Sequence, residues 1–222
     1  MRPLYALCLL LVFSIGSNAQ VPVSKEPRHK PVFENEKVRL LNVFLPPGDT
    51  TQYHLHNTPS LFLFFTSTTT GSQLQGSAPT VGRSTGGTIL FENLAPPHVR
   101  VHRVWSLDTS TFHVMDIELL SKDSGFTDKP LNLPHLQTAV DTPWVRAYKL
   151  VLERKELFQL SKHKYPLVLV ALGTGSIQLQ HNGTTQIQTL QEGTFFWIPA
   201  GQKFELRNIE NTTAHLALIE IP

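Results

Sequence analysis

The residues in this 222-residue sequence whose spacing best suits metal chemistry are two histidines one residue apart, His54 and His56. Because side chains alternate between the two faces of a β-strand, both imidazoles would point to one face, with Leu55 on the other. A third histidine from a neighbouring strand, for which His102 is the candidate, would complete a facial triad. Such a triad suits Fe(II), Mn(II), Ni(II), Zn(II) or Cu(II). A lone His-x-His pair is more often solvated or hydrogen-bonded within a core, so the assignment depends on its surroundings.

His113 is a further histidine close to the candidate triad in sequence. If residues 107–110 form a four-residue hairpin turn, His113 lies opposite Val104 and on the same strand face as His102. A register slip of one residue would reverse that face. His113 is therefore a candidate fourth ligand, or a hydrogen-bonding partner of a ligand. Its counterpart His215, in the second copy of the repeat described below, favours a structural hydrogen-bonding role instead.

Three polar residues, Ser60, Gln73 and Ser106, are candidates for the wall of a binding pocket. Gln73 belongs to a segment that could reach over the site and orient a polar ligand, although a solvated loop is the commoner outcome. The sequence contains no Ser-His-Asp arrangement, glycine-rich phosphate loop or paired-carboxylate site that would indicate another class of reaction.

Residues 1–19 have the pattern of an export signal. Arg2 precedes an apolar run from Leu4 to Ile15, and Ser17-Asn18-Ala19 supplies the small residues that a signal peptidase reads. The run is shorter than the roughly 20 residues that a membrane-spanning helix requires, which disfavours the alternative of a retained membrane anchor. We expect cleavage after Ala19 and export to the periplasm or the extracellular space. The single cysteine, Cys8, would leave with the leader, so the mature chain would have neither a disulfide nor a thiol ligand.

Composition favours an all-β chain and gives no indication of a nucleic-acid partner. Sixteen prolines and thirteen glycines punctuate runs of β-branched, aromatic and aliphatic residues, and no long segment keeps a helical period. The net charge of +2 is small and the basic residues are scattered. The expected partner is therefore a small-molecule ligand or substrate. A monomer and a homodimer are equally consistent with the sequence.

The sequence contains a tandem repeat. Its two copies align at an offset of 107 residues at the start and 102 further on: 38–39 with 145–146, 54–59 with 161–166, Pro97 with Pro199, His113 with His215, and 117–119 with 219–221. The order and the near-constant offsets of these pairs indicate a duplication. The five residues missing from the second copy fit the stretch 66–87, which is rich in Thr, Ser and Gly and is predicted to be an elaborated loop.

Each copy is predicted to consist of short strands separated by Pro, Gly or Asp-Thr turns. The predicted strands are 38–45, 61–65, 88–91, 99–105 and 112–120 in the first copy, and 145–152, 165–172, 176–180, 186–190, 195–198, 204–207 and 214–221 in the second. The predicted organisation is a signal peptide (1–19), an N-terminal arm (20–34), a first barrel (35–120), a polar linker (121–141) and a second barrel (142–222).

The two copies carry the motifs of a known superfamily. The first copy opens with Gly48-x5-His54-x-His56, and the second contains Gly193-x5-Pro199-x-Gly201, followed by Phe204 where a histidine is expected and by Asn208. When the spacing of this second motif is aligned with the first copy, its positions fall on Pro97, His102 and Ser106. On these residues the chain resembles the cupin superfamily over residues 35–120 and 142–222.

The resemblance implies an all-β fold of two tandem cupin barrels, each a double-stranded β-helix of the jelly-roll type. It also implies one divalent metal ion in the first barrel, held by His54, His56 and His102, with its identity open among Fe, Mn, Ni, Zn and Cu. The second barrel, with Phe204 in place of the third histidine, is expected to be metal-free.

The family's usual fourth ligand, a glutamate, should fall at Ser60 or Leu61, and neither side chain can replace a carboxylate. A three-histidine site of this kind resembles those of thiol dioxygenases and of a diketone-cleaving dioxygenase. Two functions are therefore weighed: a metal-dependent dioxygenase or isomerase acting on a small molecule, and a non-catalytic periplasmic protein that binds a sugar or a carboxylate. Turnover-dependent oxygen uptake would indicate the first, and ligand-dependent stabilisation alone the second.

Overall fold

The computed structural model describes residues 20–122, 125–181 and 183–222. These residues form nineteen β-strands and one short 3₁₀ helix, Val23–Lys25, which confirms the all-β prediction. Within the described ranges, no helix has the length and apolar character needed to cross a membrane. The predicted leader and its cleavage site, residues 1–19, lie outside the described residues.

The first half of the chain forms two facing five-stranded sheets. Its strands are β1 (Val21–Pro22), β2 (His29–Glu34), β3 (Val38–Leu45), β4 (His54–His56), β5 (Ser60–Phe64), β6 (Thr69–Leu74), β7 (Thr80–Arg83), β8 (Ile89–Glu92), β9 (Arg100–Ser106) and β10 (Phe112–Leu119). One sheet has the order β1-β4-β9-β6-β7 and the other β2-β3-β10-β5-β8. Most successive strands change sheet, as in a jelly roll, and every neighbouring pair is antiparallel except the short β1–β4 pair.

The second half repeats this topology. Its strands are β11 (Leu136–Asp141), β12 (Arg146–Leu152), β13 (Leu157–Leu160), β14 (Leu167–Ala171), β15 (Gly175–His181), β16 (Thr184–Leu190), β17 (Phe195–Ile198), β18 (Phe204–Asn208) and β19 (Ala214–Glu220). The sheet orders are β11-β12-β19-β14-β17 and β13-β18-β15-β16. Strand for strand they match the first half, except that within the described ranges the second of these sheets has no counterpart of β1. The tandem repeat of the sequence is thus a repeat of structure.

A duplicated ion pair marks the same register in both halves. Arg39 lies opposite Glu118 across β3 and β10, with Nη1 2.7 Å from Oε2. Arg146 lies opposite Glu220 across β12 and β19, with Nη1 3.9 Å from Oε2. These four residues are the ones that the two sequence offsets align, so the strand pairing supports the alignment independently of the cupin motifs.

The apolar side chains form three layers. The interior of the first half holds a small cluster around Val43, Leu45, Phe112 and Val114. The interior of the second half is filled by a large one, which includes Tyr148, Phe158, Phe204, Leu206 and Leu218. Between the two halves lies what we call the interface cluster, to which both contribute: Val38, Leu40, Leu61, Leu63, Phe65, Met115, Ile117 and Leu119 from the first, and Val145, Ala147, Val168, Val170, Ala217, Ile219 and Ile221 from the second. Consequently β10 is buried along both of its faces.

The prediction of an elaborated loop over residues 66–87 is wrong, because this stretch contains the antiparallel hairpin β6–β7. β6 also pairs with β9, so the hairpin extends the sheet that carries the histidines. The predicted arm, 20–34, contributes β1 and β2, and the predicted linker, 121–141, contributes β11. These short edge strands lack the clear apolar alternation by which strands are recognised in a sequence.

Candidate metal centre

The structure brings the imidazoles of His54, His56 and His102 together at one point. β4 carries the first two on the same face, and β9 places His102 directly opposite His54. The Nε2 atom of His56 lies 3.1 Å from Nε2 of His54 and 3.1 Å from Nε2 of His102. Ligands at right angles on a metal ion with bonds of about 2.1 Å would be about 3.0 Å apart. Two of the three spacings thus fit nitrogen ligands at right angles on a single ion, and the ring centroids of His54 and His102 lie 4.8 Å apart.

The second ring nitrogen of each histidine faces an oxygen atom. His54 Nδ1 donates to the backbone carbonyl of Gln52 at 2.8 Å, and His102 Nδ1 lies 3.4 Å from the Ser72 hydroxyl. His56 Nδ1 lies 3.4 Å from a carboxylate oxygen of Asp116. The hydrogen bond at His54 Nδ1 holds that imidazole in the tautomer that leaves Nε2 free for a metal, as is usual for histidine ligands.

Burial keeps the three imidazoles neutral. It lowers the pKa of His54 to about 4 and that of His102 to about 3, with further lowering from the neighbouring histidines. The pKa of His56 is also lowered, chiefly by burial and then by His102 and His54. Neutral imidazoles are the protonation state that a metal ion needs.

Asp116 is a buried carboxyl group that the sequence analysis missed. Neither its oxygens nor His56 Nδ1 has a hydrogen-bond partner among the described residues, and burial raises the pKa of Asp116 well above its ordinary value. An unpaired buried carboxylate is costly unless a cation compensates it. A metal ion on the neighbouring imidazoles would supply that charge, so the donor set fits such an ion. The signal available was an acidic residue in an apolar strand, in alternation with Phe112 and Val114.

His29, at the start of β2, is a fourth histidine at the centre, and it comes from the segment predicted to be an arm. Its ring centroid lies 4.5 Å from that of His54. Ring nitrogens of His29, His54 and His56 all lie within 4.8 Å of one another. Nothing in the sequence indicates this position, because His29 lies outside both cupin motifs and reaches the centre only through the pairing of β2 with β3.

A cavity of about 580 Å³ extends from the histidines. Apolar side chains from both sheets form most of its wall: Val43, Leu45, Phe62, Phe64, Leu90, Val104, Phe112 and Val114. Arg100 and Glu92 also line it and form an ion pair of 2.7 Å. Residues 82–85 of the β6–β7 hairpin and the segment after it are mostly exposed, so the cavity reaches the surface there. The site therefore combines candidate metal ligands with an apolar chamber open to small molecules.

The three candidate pocket residues do not line this cavity. Ser60 is buried beside the centre, and its hydroxyl donates to the Thr58 carbonyl at 3.3 Å. Gln73 lies on the outer face of β6 and accepts hydrogen bonds from Arg103. Ser106 is buried at the end of β9, where its hydroxyl donates to the Ser110 carbonyl at 3.3 Å.

The prediction that His113 shares a strand face with His102 is wrong, because β9 and β10 lie in different sheets. His113 lies opposite Phe44 on β3, and its Nε2 is hydrogen-bonded to Asn42 at 2.8 Å. The residues of β10 that line the cavity are Phe112, Val114 and Asp116, so the alternation of the strand points His113 away from the triad. Its ring packs against Phe65 instead, at a centroid distance of 4.5 Å.

The corresponding positions of the second half have other surroundings. Phe204, in the place of the third histidine, is buried in the large apolar cluster, with its ring 5.9 Å from that of Phe158. His163, which aligns with His56, faces Glu220 with Nε2 2.5 Å from Oε1. Ser161, which aligns with His54, is exposed. Apolar packing thus fills the interior that forms a cavity in the first half.

No protein-family model and no curated protein matches the chain by sequence. Its structure is similar to AerE from Microcystis aeruginosa, with 14% identity, a TM-score of 0.61 and coverage of 89% of this chain and 98% of that one. It is similar to a cupin 2 conserved barrel domain protein from Leptotrichia buccalis, with 10% identity, a TM-score of 0.54 and coverage of 87% and 88%. It is also similar to salicylate 1,2-dioxygenase from Pseudoaminobacter salicylatoxidans, with 12% identity, a TM-score of 0.63 and coverage of 93% and 76%.

Likeness at this level of identity shows the fold and no more. Together with the strand order and the two-sheet architecture, it confirms the fold that the motifs predict: this chain has a cupin fold.

Proposed function

We propose that the first half of the chain binds one divalent first-row transition metal ion on His54, His56 and His102, and is a metal-dependent dioxygenase acting on a small molecule. The observation that carries the proposal is the pair of 3.1 Å Nε2 spacings at one end of an apolar cavity. A metal ion there would supply a Lewis acid with open coordination positions, at which substrate and oxygen can be brought together. An isomerase would need the same ligand set, and only the oxygen requirement separates the two reactions.

The walls of the cavity indicate the kind of substrate. Phe62, Phe64 and Phe112 favour an aromatic or branched aliphatic body, and the histidine centre favours an oxygen function that can bind a metal. The cavity volume of about 580 Å³ lies in the usual range for small-molecule sites. The salicylate 1,2-dioxygenase of similar fold was solved with gentisate, which is an aromatic acid of this general kind.

The test is elemental analysis of residues 20–222, purified without chelators or a histidine tag, next to the His54→Ala/His56→Ala variant. We expect about one equivalent of a transition metal in the wild type and none in the variant. A His98→Ala/His215→Ala variant, which removes two exposed histidines, is the matched control and should keep its metal. Oxygen consumption is then followed with small aromatic acids and diketones as trial substrates.

Absence of metal from the wild type, even after exposure to each candidate ion in turn, would overturn the proposal. Metal without oxygen consumption or isomerisation of any trial compound would favour the second candidate, a non-catalytic protein that binds a small ligand. One contact favours this alternative: Arg100 reaches into the cavity, where its only ion-pair partner among the described residues is Glu92. A ligand carboxylate could take the place of Glu92. Stabilisation by a carboxylate ligand that is lost in Arg100→Gln would support it.

We further propose that the protein is exported and processed after Ala19, with function in the periplasm or outside the cell. The support is the sequence pattern of residues 1–19. Fractionation of the native host followed by N-terminal sequencing should find a chain that begins at Gln20. A full-length chain in the cytoplasmic fraction would contradict this.

A further inference from the structure

His29 and Glu26 tie the N-terminal segment, residues 20–34, to the histidine centre. Both side chains are buried, at 6% and 1% relative exposure. His29 Nδ1 donates to Glu26 Oε2 at 2.8 Å, because a carboxylate can only accept. The bond leaves Nε2 as the nitrogen of His29 that is free to bind a metal. In this respect His29 resembles His54, whose Nδ1 proton is likewise bound to an oxygen.

Glu26 is held by Gln52, in the segment that leads into β4. Its Oε1 accepts a hydrogen bond from the backbone N–H of Gln52 at 3.0 Å, and the carbonyl of the same residue accepts the Nδ1 proton of His54 at 2.8 Å. Glu26 Oε2 also accepts the backbone N–H of Arg28 at 2.7 Å. His29 and His54 are therefore oriented through one continuous network, in the way that outer carboxylates and carbonyls orient histidine ligands.

Two further contacts fix the segment on the same side of the molecule. β1 pairs with β4 at Val21 and His54. Arg28 forms a bidentate ion pair with Asp49, with Nη2 2.8 Å from Oδ1 and Nε 3.2 Å from Oδ2. Residues 29–34 are held by the pairing of β2 with β3. Residues 20–28 are held by the buried side chain of Val23 and by these polar, partly exposed contacts, which stabilise them only modestly.

We propose that His29 is a fourth protein ligand of the metal ion, and that metal binding strengthens the attachment of residues 20–28 to the first half. The proposal rests on the proposed metal site. A four-histidine ligand set leaves an octahedral ion two open positions rather than three, enough for one substrate atom and one oxygen molecule side by side. It also makes the docking of the segment depend on the metal, because a ligand that binds the docked state alone stabilises that state.

The experiment compares the wild type with His29→Ala and His29→Gln, using Zn²⁺ and Cu²⁺ as probes. Zn²⁺ affinity is measured by competition with a chromophoric chelator. We expect both variants to keep a single site and to bind at least about tenfold more weakly, in line with losses seen when metal-site partners are removed. The Cu²⁺ electron paramagnetic resonance spectrum should lose the coupling to one nitrogen.

Hydrogen exchange provides a readout that does not depend on ligand counting. In the wild type, Zn²⁺ should slow backbone exchange across residues 20–28, whereas in His29→Gln it should slow exchange around β4 and β9 only. His98→Ala, which removes an exposed histidine, is the control and should behave as the wild type does.

Two adverse outcomes are distinguishable. Equal Zn²⁺ affinity, Cu²⁺ spectrum and exchange protection in the wild type and His29→Gln would overturn the role of His29 and leave the three-histidine site intact. Failure of the wild type to bind either ion would overturn the proposed function itself. Should His29→Ala not fold, His29→Gln, which fills the same space with a polar side chain, carries the comparison.

Discussion

Lys155 has a left-handed backbone conformation, with φ of 66°, at the position that the repeat aligns with Gly48, where φ is 77°. A side chain in this region costs about 1–2 kcal/mol, and glycine avoids that cost. We therefore expect Lys155→Gly to raise the free energy of unfolding by about 1 kcal/mol in urea denaturation. Arg154→Gly, at the adjacent exposed position, is the control and should lower it by about 0.5–1 kcal/mol. Equal losses in both variants would contradict the prediction.

His113 should make stability depend on pH. Burial lowers its pKa in the folded chain below the usual value near 6.5, so below that pH the unfolded chain binds more protons than the folded one. The contribution is fully present above pH 6.5 and is lost as the pH falls, by up to about 1.4 kcal/mol per pH unit. In metal-free protein between pH 7 and 5, His113→Gln should remove the His113 share of the slope, leave the share of the three site histidines, and keep a hydrogen bond to Asn42. Parallel stability curves for wild type and variant would refute the assignment.

At the scale of single residues, the site residues that can be predicted from the sequence are those that belong to a motif. His54, His56 and His102 lie together as the motif spacing requires, since two belong to one short strand and the third to the strand opposite. His29 and Asp116 were not predictable in the same way. Each comes from the sheet that faces the one with the triad. The spacing of residues along a strand does not indicate which residues of two facing sheets will be in contact.

The β6–β7 hairpin depends on the absence of a side chain at Gly71. A Cβ atom there would lie 2.1 Å from Cε2 of Trp105, whose indole crosses the strand from β9. We expect Gly71→Ala to lower the free energy of unfolding by about 1–3 kcal/mol, because Trp105 must move. The control is Gly82→Ala, which faces open space in the partner strand. Thermal unfolding of the two variants provides the measurement, and equal melting temperatures would count against the packing argument.

The same hairpin explains where prediction of elements fails. β6 lines a cavity on its inner face through Thr70 and Ser72, and Gly71 accommodates Trp105 on its outer face. Its residues therefore show none of the apolar alternation that a packed core imposes, and they resemble a loop. By contrast β3, packed on both faces, was predicted with its observed limits, Val38–Leu45.

At the scale of the whole molecule, the interface cluster should make the two halves unfold together. Ile117 is fully buried in it, beside residues of the second half. We expect Ile117→Ala to cost about 2–5 kcal/mol and to speed hydrogen exchange in β14 and β19 as well as in β10. Ile187→Ala, which removes a side chain that is 71% exposed, should change neither. Faster exchange restricted to the first half would indicate two independent units.

The overall architecture was the easiest feature to predict, because the two copies of the repeat give two independent indications of the same strand order. Each half supplies the same strand order, and the pairs Arg39–Glu118 and Arg146–Glu220 fix the same register in both. The packing of the halves on one another was not predictable, since a strand that is apolar on both faces does not reveal what covers each face.

The double burial of β10 also bears on how the duplicated gene could diverge. What the first copy requires of the second is a matching surface, formed by Val168, Ala217 and Ile219 among others, and not a second set of histidines. The requirement for metal ligands could therefore lapse at 161, 163 and 204 once the copies were fused, whereas polar substitutions on that surface would leave the apolar face of the first copy uncovered. Deep mutational scanning of the second copy should find tolerance at Ser161, which is exposed, and intolerance along β14 and β19 and at Phe204, which is buried in the core of the second half.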